Sequence, residues 1–147
     1  MKVCAILLLL VTLWCPAMAA EEAGTVKTVK GTVSVERGGE KIPIAVGGRL
    51  FASDRVVTGA ESSVGITLRD NTMLSAGPNS VLSLDKFSYN ATTHAGAVDA
   101  TLKRGTLGVI SGKIAKADAD SVRFRTPTMT LGVRGTEFVI EAAGSEQ

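Results

Sequence analysis

Asp54-Arg55-Val56-Val57-Thr58-Gly59-Ala60-Glu61-Ser62-Ser63-Val64-Gly65-Ile66-Thr67-Leu68-Arg69-Asp70-Asn71-Thr72-Met73-Leu74-Ser75-Ala76-Gly77-Pro78-Asn79-Ser80-Val81-Leu82-Ser83-Leu84 is the stretch whose reading decides the fold class. Val64, Ile66 and Leu68 recur at every second residue, Asp70-Asn71 interrupts them, and Leu74 follows. Gly77-Pro78-Asn79 interrupts again before Leu82 and Leu84. A period of two broken by turn residues predicts short strands, each with one apolar face. Gly65, Thr67 and Arg69 then fall on the opposite, outward face. Asp70 and Asn71 suit a turn because their short side chains bond nearby backbone donors, and Asn tolerates a left-handed conformation. The stretch specifies stability and carries no recognisable chemistry.

Working outward toward the N-terminus, Thr25 to Val35 predicts a strand with Val29, Val33 and Val35 on one parity and a bend at Gly31. Gly38-Gly39 predicts a hairpin turn from Val35 into Ile42. Pro43 lacks an amide proton, so Ile42 to Ala45 belongs at a sheet edge. Toward the C-terminus, Phe87 and Tyr89 alternate with Ser88, Asn90 to Gly96 predicts a projecting loop, and Asn90-Ala91-Thr92 matches the N-glycosylation pattern. Val98 to Leu102 and Thr106 to Ile110 predict two strands joined by a turn at Lys103-Arg104-Gly105. Ala115 to Ala119 is long enough for one helical turn. Val122, Phe124 and Thr126 alternate with Arg123 and Arg125, and the Arg134-Gly135-Thr136-Glu137 stretch turns the chain into a last apolar strand. The expected class is all-β, with short stacked hairpins in a solenoid-like arrangement or a compact β-sandwich.

The first 19 residues follow a different logic. Lys2 supplies a positive start, Ala5 to Trp14 is almost wholly apolar, and Ala17-Met18-Ala19 is a small-x-small cleavage site, which together predict a secretory signal peptide. The apolar run is about half the roughly 20 residues a membrane span needs. Trp14 before Cys15 argues against a lipid-anchored start. The expected product is a single domain from Ala20 to Gln147, in the periplasm or secreted, fraying after about residue 140. Cleavage removes both cysteines, Cys4 and Cys15, together with Lys2, leaving 15 basic side chains against 14 acidic. A cysteine-free chain of this length can bury one sizeable core without disulfides or metal. Near-neutral charge and a lack of interleaved aromatics exclude a nucleic-acid binder of the usual kind.

In order along the chain, several groups resemble the periplasmic FecR domain. They are Thr32-Val33-Ser34-Val35, Val46-Gly47-Gly48-Arg49-Leu50, Asp54 to Gly59, Ser62 to Thr72, Gly77-Pro78-Asn79-Ser80, Leu102-Lys103-Arg104-Gly105 and Thr126 to Phe138. The resemblance spans about Gly24 to Ile140. It implies an all-β exported domain of the kind that, in the family's named regulators of iron uptake, receives a signal from an outer-membrane receptor. Those regulators also carry a cytoplasmic segment that controls a sigma factor. No such segment stands before the apolar run here, so the expectation is a stand-alone exported domain.

Enzymatic readings find little support. His94 is the only histidine and lies in the polar loop segment with Asp99 as its nearest acid; Ser62, Ser63 and Ser80 lack a histidine-acid pattern; Asp54, Asp70 and Asp85 are too scattered for a calcium site. Gly77-Pro78-Asn79 lacks the lysine and helix of a phosphate loop. No cofactor and no metal are expected, and a secreted hydrolase is a remote alternative. The candidate partner-binding residues are Arg123, Arg125, Arg134 and Glu137, with Lys41 to Ala45 as the candidate sheet edge. Against recognition stands a simpler reading, in which Arg134 pairs locally with Glu137 and the other two arginines cover an exposed face. The partner classes are an envelope protein, an envelope polymer or another copy of the chain, acting in signalling or assembly, with structural self-association as the alternative.

Overall fold

The computed structural model describes residues 21–133 and 137–143. Among them twelve strands form a curled sheet, half-barrel in form, antiparallel at every pairing but one. The strands are β1 (Glu22–Lys30), β2 (Val33–Arg37), β3 (Glu40–Pro43), β4 (Arg49–Phe51), β5 (Arg55–Thr58), β6 (Ser63–Leu68), β7 (Met73–Ala76) and β8 (Val81–Tyr89). After them come β9 (Gly96–Ile110), helix α1 (Lys113–Ala117), a short 3-10 turn, β10 (Val122–Arg125), β11 (Thr130–Gly132) and β12 (Glu137–Ala142).

The alternation in the deciding stretch becomes burial. Val64, Ile66 and Leu68 are buried on β6 while Ser63, Gly65 and Thr67 face outward. Ile66 sits between Val26 on β1 and Leu74 on β7, and Val64 between Val29 and Ala76. Each such aliphatic side chain contributes roughly 1.5–3 kcal/mol relative to exposure. Leu82, Leu84 and Phe87 on β8 face Leu102, Ala100 and Val98 on β9 in the same way. All but Val29, which packs against it, belong to one hydrophobic cluster that Ile114 and Ala115 of α1 also join.

β9 is the spine. Its first part, Gly96 to Arg104, pairs with β8 on one side and, over Val98–Thr101, with β10 on the other. Its second part, Gly105 to Ile110, pairs with β12 and, from Leu107 onward, with β7. One half-sheet is therefore β4-β1-β6-β7-β9-β12, and the other is β3-β2-β5-β8-β9-β10-β11.

The expected turn at Lys103-Arg104-Gly105 is instead a bulge within this single strand. The register against β8 slips there, Val81 pairing with Arg104 but Leu82 with Leu102, and Gly105 has φ +95°. A β-carbon at Gly105 would run into Ser80, so both conformation and space require glycine. A bulge bends a strand without ending it, and turn-forming composition does not distinguish the two.

The single strand expected over Thr25 to Val35 likewise divides at Gly31 into β1 and β2, which lie in different half-sheets. The helical turn begins at Lys113, two residues before the expected start, because backbone and side-chain oxygens of Asp70 receive Lys113 N at 2.8 Å and Ile114 N at 3.4 Å. β10 runs parallel to β9, which needs the crossover that residues 111–121 supply. Strand periodicity carries no information on direction.

Candidate interaction surfaces

The turn residues are placed as follows. Gly38 and Gly39 join β2 to β3 with φ +59° and +80°, and Pro43 ends β3, whose one partner strand among the described residues is β2, at the end of the strand order. Asp70 and Asn71 lie between β6 and β7, and Gly77, Pro78 and Asn79 between β7 and β8; Asn71 and Asn79 have φ +69° and +52°. Gly135 lies outside the described residues.

Two acids from these segments are buried and fully employed in holding the fold. Asp54 accepts from Arg37 Nε at 2.8 Å and a terminal guanidinium nitrogen at 2.7 Å, and from the Phe51 amide at 2.9 Å. The Arg37 guanidinium also lies 4.6 Å from the Phe51 ring centre. The hydrogen bonds that Arg37 donates to Asp54 raise the Arg37 pKa above its ordinary value, against the opposing effect of partial burial. Asp70 accepts from the Thr72 hydroxyl at 2.7 Å and the Thr72 amide at 3.1 Å, as well as from α1. Asp85 bridges the Ser83 and Thr101 hydroxyls at 3.1 and 2.5 Å. His94, at φ +59°, stacks on Tyr89 at 6.4 Å in the loop between β8 and β9. Among the described residues no group of three or more His, Cys, Asp or Glu is placed to hold a metal, and no helix is long and apolar enough to cross a membrane.

Arg123 and Arg125 both point outward from β10. Arg123 stands opposite Asp99 on β9, whose neighbour on the other side is Lys86 of β8. Asp99 bonds Arg125 through Oδ2 at 3.0 Å, while its Oδ1 is buried with no hydrogen-bond partner among the described residues. Arg123 has no ion partner among those residues. Asp99, Arg123, Lys86, Asp120 and Ser121 line a recess of about 160 Å³. Arg134 lies outside the described residues, and Glu137 projects from the other half-sheet, so the four candidate binding residues are not seen as one cluster. The sequence offers Asp99 only as the acid nearest His94 and gives Lys86 no role, since only strand register puts the two beside Arg123.

The outer face of the first half-sheet is different in kind. One row across it runs Thr28, Gly65, Ser75, Gly108, Val139, and the next runs Thr67, Met73, Ile110, Glu137. Gly65, Ser75 and Gly108 floor a trough of about 320 Å³ between these strands. Met73, Ile110 and Val139 on it are 50, 43 and 75 % exposed, and they make up three of the five large hydrophobic side chains that the described residues expose. The sequence signal for this face lies in the outward parity of β6, β7 and the second part of β9, where small, hydroxylic and apolar residues replace charges, and in Val139 between the outward Glu137 and Glu141 of β12.

No curated protein and no solved structure shows a significant match to the chain. A family model described as FecR protein matches residues 54–147. The match opens at Asp54, the buried partner of Arg37, and leaves out β1 to β4, although β1 and β2 complete both half-sheets through β6 and β5. It covers well over half of the 147 residues and includes the deciding stretch, the spine β9 and β10, and on that ground the chain belongs to the FecR family.

Proposed function

We propose that this protein is an exported, noncatalytic interaction or ligand-sensing domain, and that it recognises an envelope partner through the outer face of β8, β9 and β10. The observation that carries the reading is the position of Arg123 opposite Asp99 in one recess. A carboxylate oxygen buried without a donor stands beside a guanidinium that has no ion partner among the described residues. Arg123, exposed and without an ion partner among the described residues, offers a partner's acceptor a charge-assisted hydrogen bond, and the unbonded Asp99 Oδ1 beside it becomes reachable when the recess opens. Membership of the FecR family and the signal peptide expected from the first 19 residues favour the envelope as the place of action.

The test is capture of envelope components on immobilised protein, with Arg123→Glu beside the unaltered chain. A component that is retained by the unaltered chain and lost by Arg123→Glu, with both proteins melting at the same temperature, supports the reading. Retention by both removes Arg123 and the recess from recognition. N-terminal sequencing of the chain recovered from its host tests export, the expected first residue being Ala20. Self-association in a structural role is a second reading, and the apolar trough on the other half-sheet favours it.

A further inference from the structure

From the trough on the first half-sheet we infer that the chain forms a symmetric dimer, two copies packing this face against itself. The inference rests on a different face from the partner reading above, so either can fail without the other. Apolar side chains as exposed as Val139, Met73 and Ile110, gathered on one sheet face, mark a contact surface. Gly108 lets a second backbone come close, since a β-carbon added there would meet nothing nearer than Ser75 at 3.8 Å, whereas the space over Gly65 is taken by the Thr28 hydroxyl.

Charge selects a second copy as the occupant. Lys27 lines one end of the trough on β1 and Glu137 the other end on β12, and neither has an ion partner among the described residues. Four strand spacings separate these strands, roughly 19 Å, too far for the two charges to meet within one copy. A twofold axis lying in the interface parallel to the central strand β7 turns the order β1-β6-β7-β9-β12 end for end. Lys27 then faces the other copy's Glu137, and by symmetry Glu137 faces the other copy's Lys27. The two levels differ by one to two residues, roughly 3–7 Å along the strand, a gap within a lysine side chain's reach. The same operation sets Met73 against Met73, Ile110 over Thr67, Gly108 over Gly65 and Val139 over Thr28. Two sheets packed face to face in this way are the ordinary aligned arrangement. Every apolar side chain of the trough is thereby covered.

Sedimentation velocity over a concentration series reads the association of the chain in the form recovered from its host. Dimer is expected for the unaltered protein, and monomer for Met73→Glu, which puts two like charges on the axis. Lys27→Glu and Glu137→Lys should each weaken the dimer about tenfold or more, because each creates two like-charge contacts. The double variant Lys27→Glu with Glu137→Lys should return toward the original affinity, an outcome that damage to folding does not produce. Arg123→Glu should leave association unchanged. A monomer at all concentrations, a dimer indifferent to Met73→Glu, or a double variant no better than the single ones overturns the inference.

Discussion

The two outer faces of this sheet share one core and one spine strand, yet they have almost nothing else in common. Outward from β8, β9 and β10 the side chains are mostly charged or hydroxylic, and some are tied locally, as in the Arg125–Asp99 ion pair and the hydrogen bond from Thr101 to Asp85. Outward from β6, β7, β9 and β12 the face is small or apolar, and its charges stand at the ends. Inward positions on both halves obey the same rule, because every second residue must fill a shared interior. Outward positions are free of that demand, and their divergence records what each face meets.

The largest expected effect comes from breaking what the two faces share. Ile66 is 2 % exposed between Val26 and Leu74, and Ile66→Asp should destabilise the fold by roughly 3–5 kcal/mol, since it buries a charge with no partner. A denaturant midpoint near that of the original chain would mean that inward and outward have been assigned the wrong way round. Gly105→Val tests the bulge at which β9 passes from one half to the other. Left-handed backbone and the nearby Ser80 together should cost at least about 2–3 kcal/mol, read by thermal melting. Unchanged stability there would show that the bend does not depend on glycine.

Asp70→Ala leaves the Thr72 amide without its side-chain acceptor and loosens the N-terminus of α1, which should cost about 1–3 kcal/mol. Amide exchange of Ile114 should rise more than that of Leu82. Equal changes at both sites would remove the local pinning role. At the small end, Arg125→Ala should cost only about 0.2–1 kcal/mol, because the Arg125 side of its pair with Asp99 is 45 % exposed, and that cost should shrink in high salt. A larger, salt-insensitive loss would move Arg125 from the solvated face into the framework.

Much of the framework was legible without coordinates. Val64, Ile66 and Leu68 declared an inward parity, and Val122 and Phe124 did the same on β10. The bulge at Gly105 was misread as a turn because Lys-Arg-Gly suits both, and only the continued pairing of β9 on each side decides between them. Of the surfaces, Arg123 and Arg125 stood out by spacing alone. Asp99, whose Oδ2 binds Arg125, did not, since it is 26 residues away in the chain and adjacent only through a parallel pairing.

By itself the sequence determined the all-β class and the inward residues of β6, β8 and β10, since these depend on local alternation and turn chemistry alone; on β1 a bulge between Val26 and Thr28 turns Val26 inward against the parity of Val29, Val33 and Val35. Tertiary structure decided which strands became neighbours, where one strand served both half-sheets, and which outward residues met across a face. Those outcomes depend on register and strand direction, which the hydrogen bonds between distant segments set and a period of two leaves open.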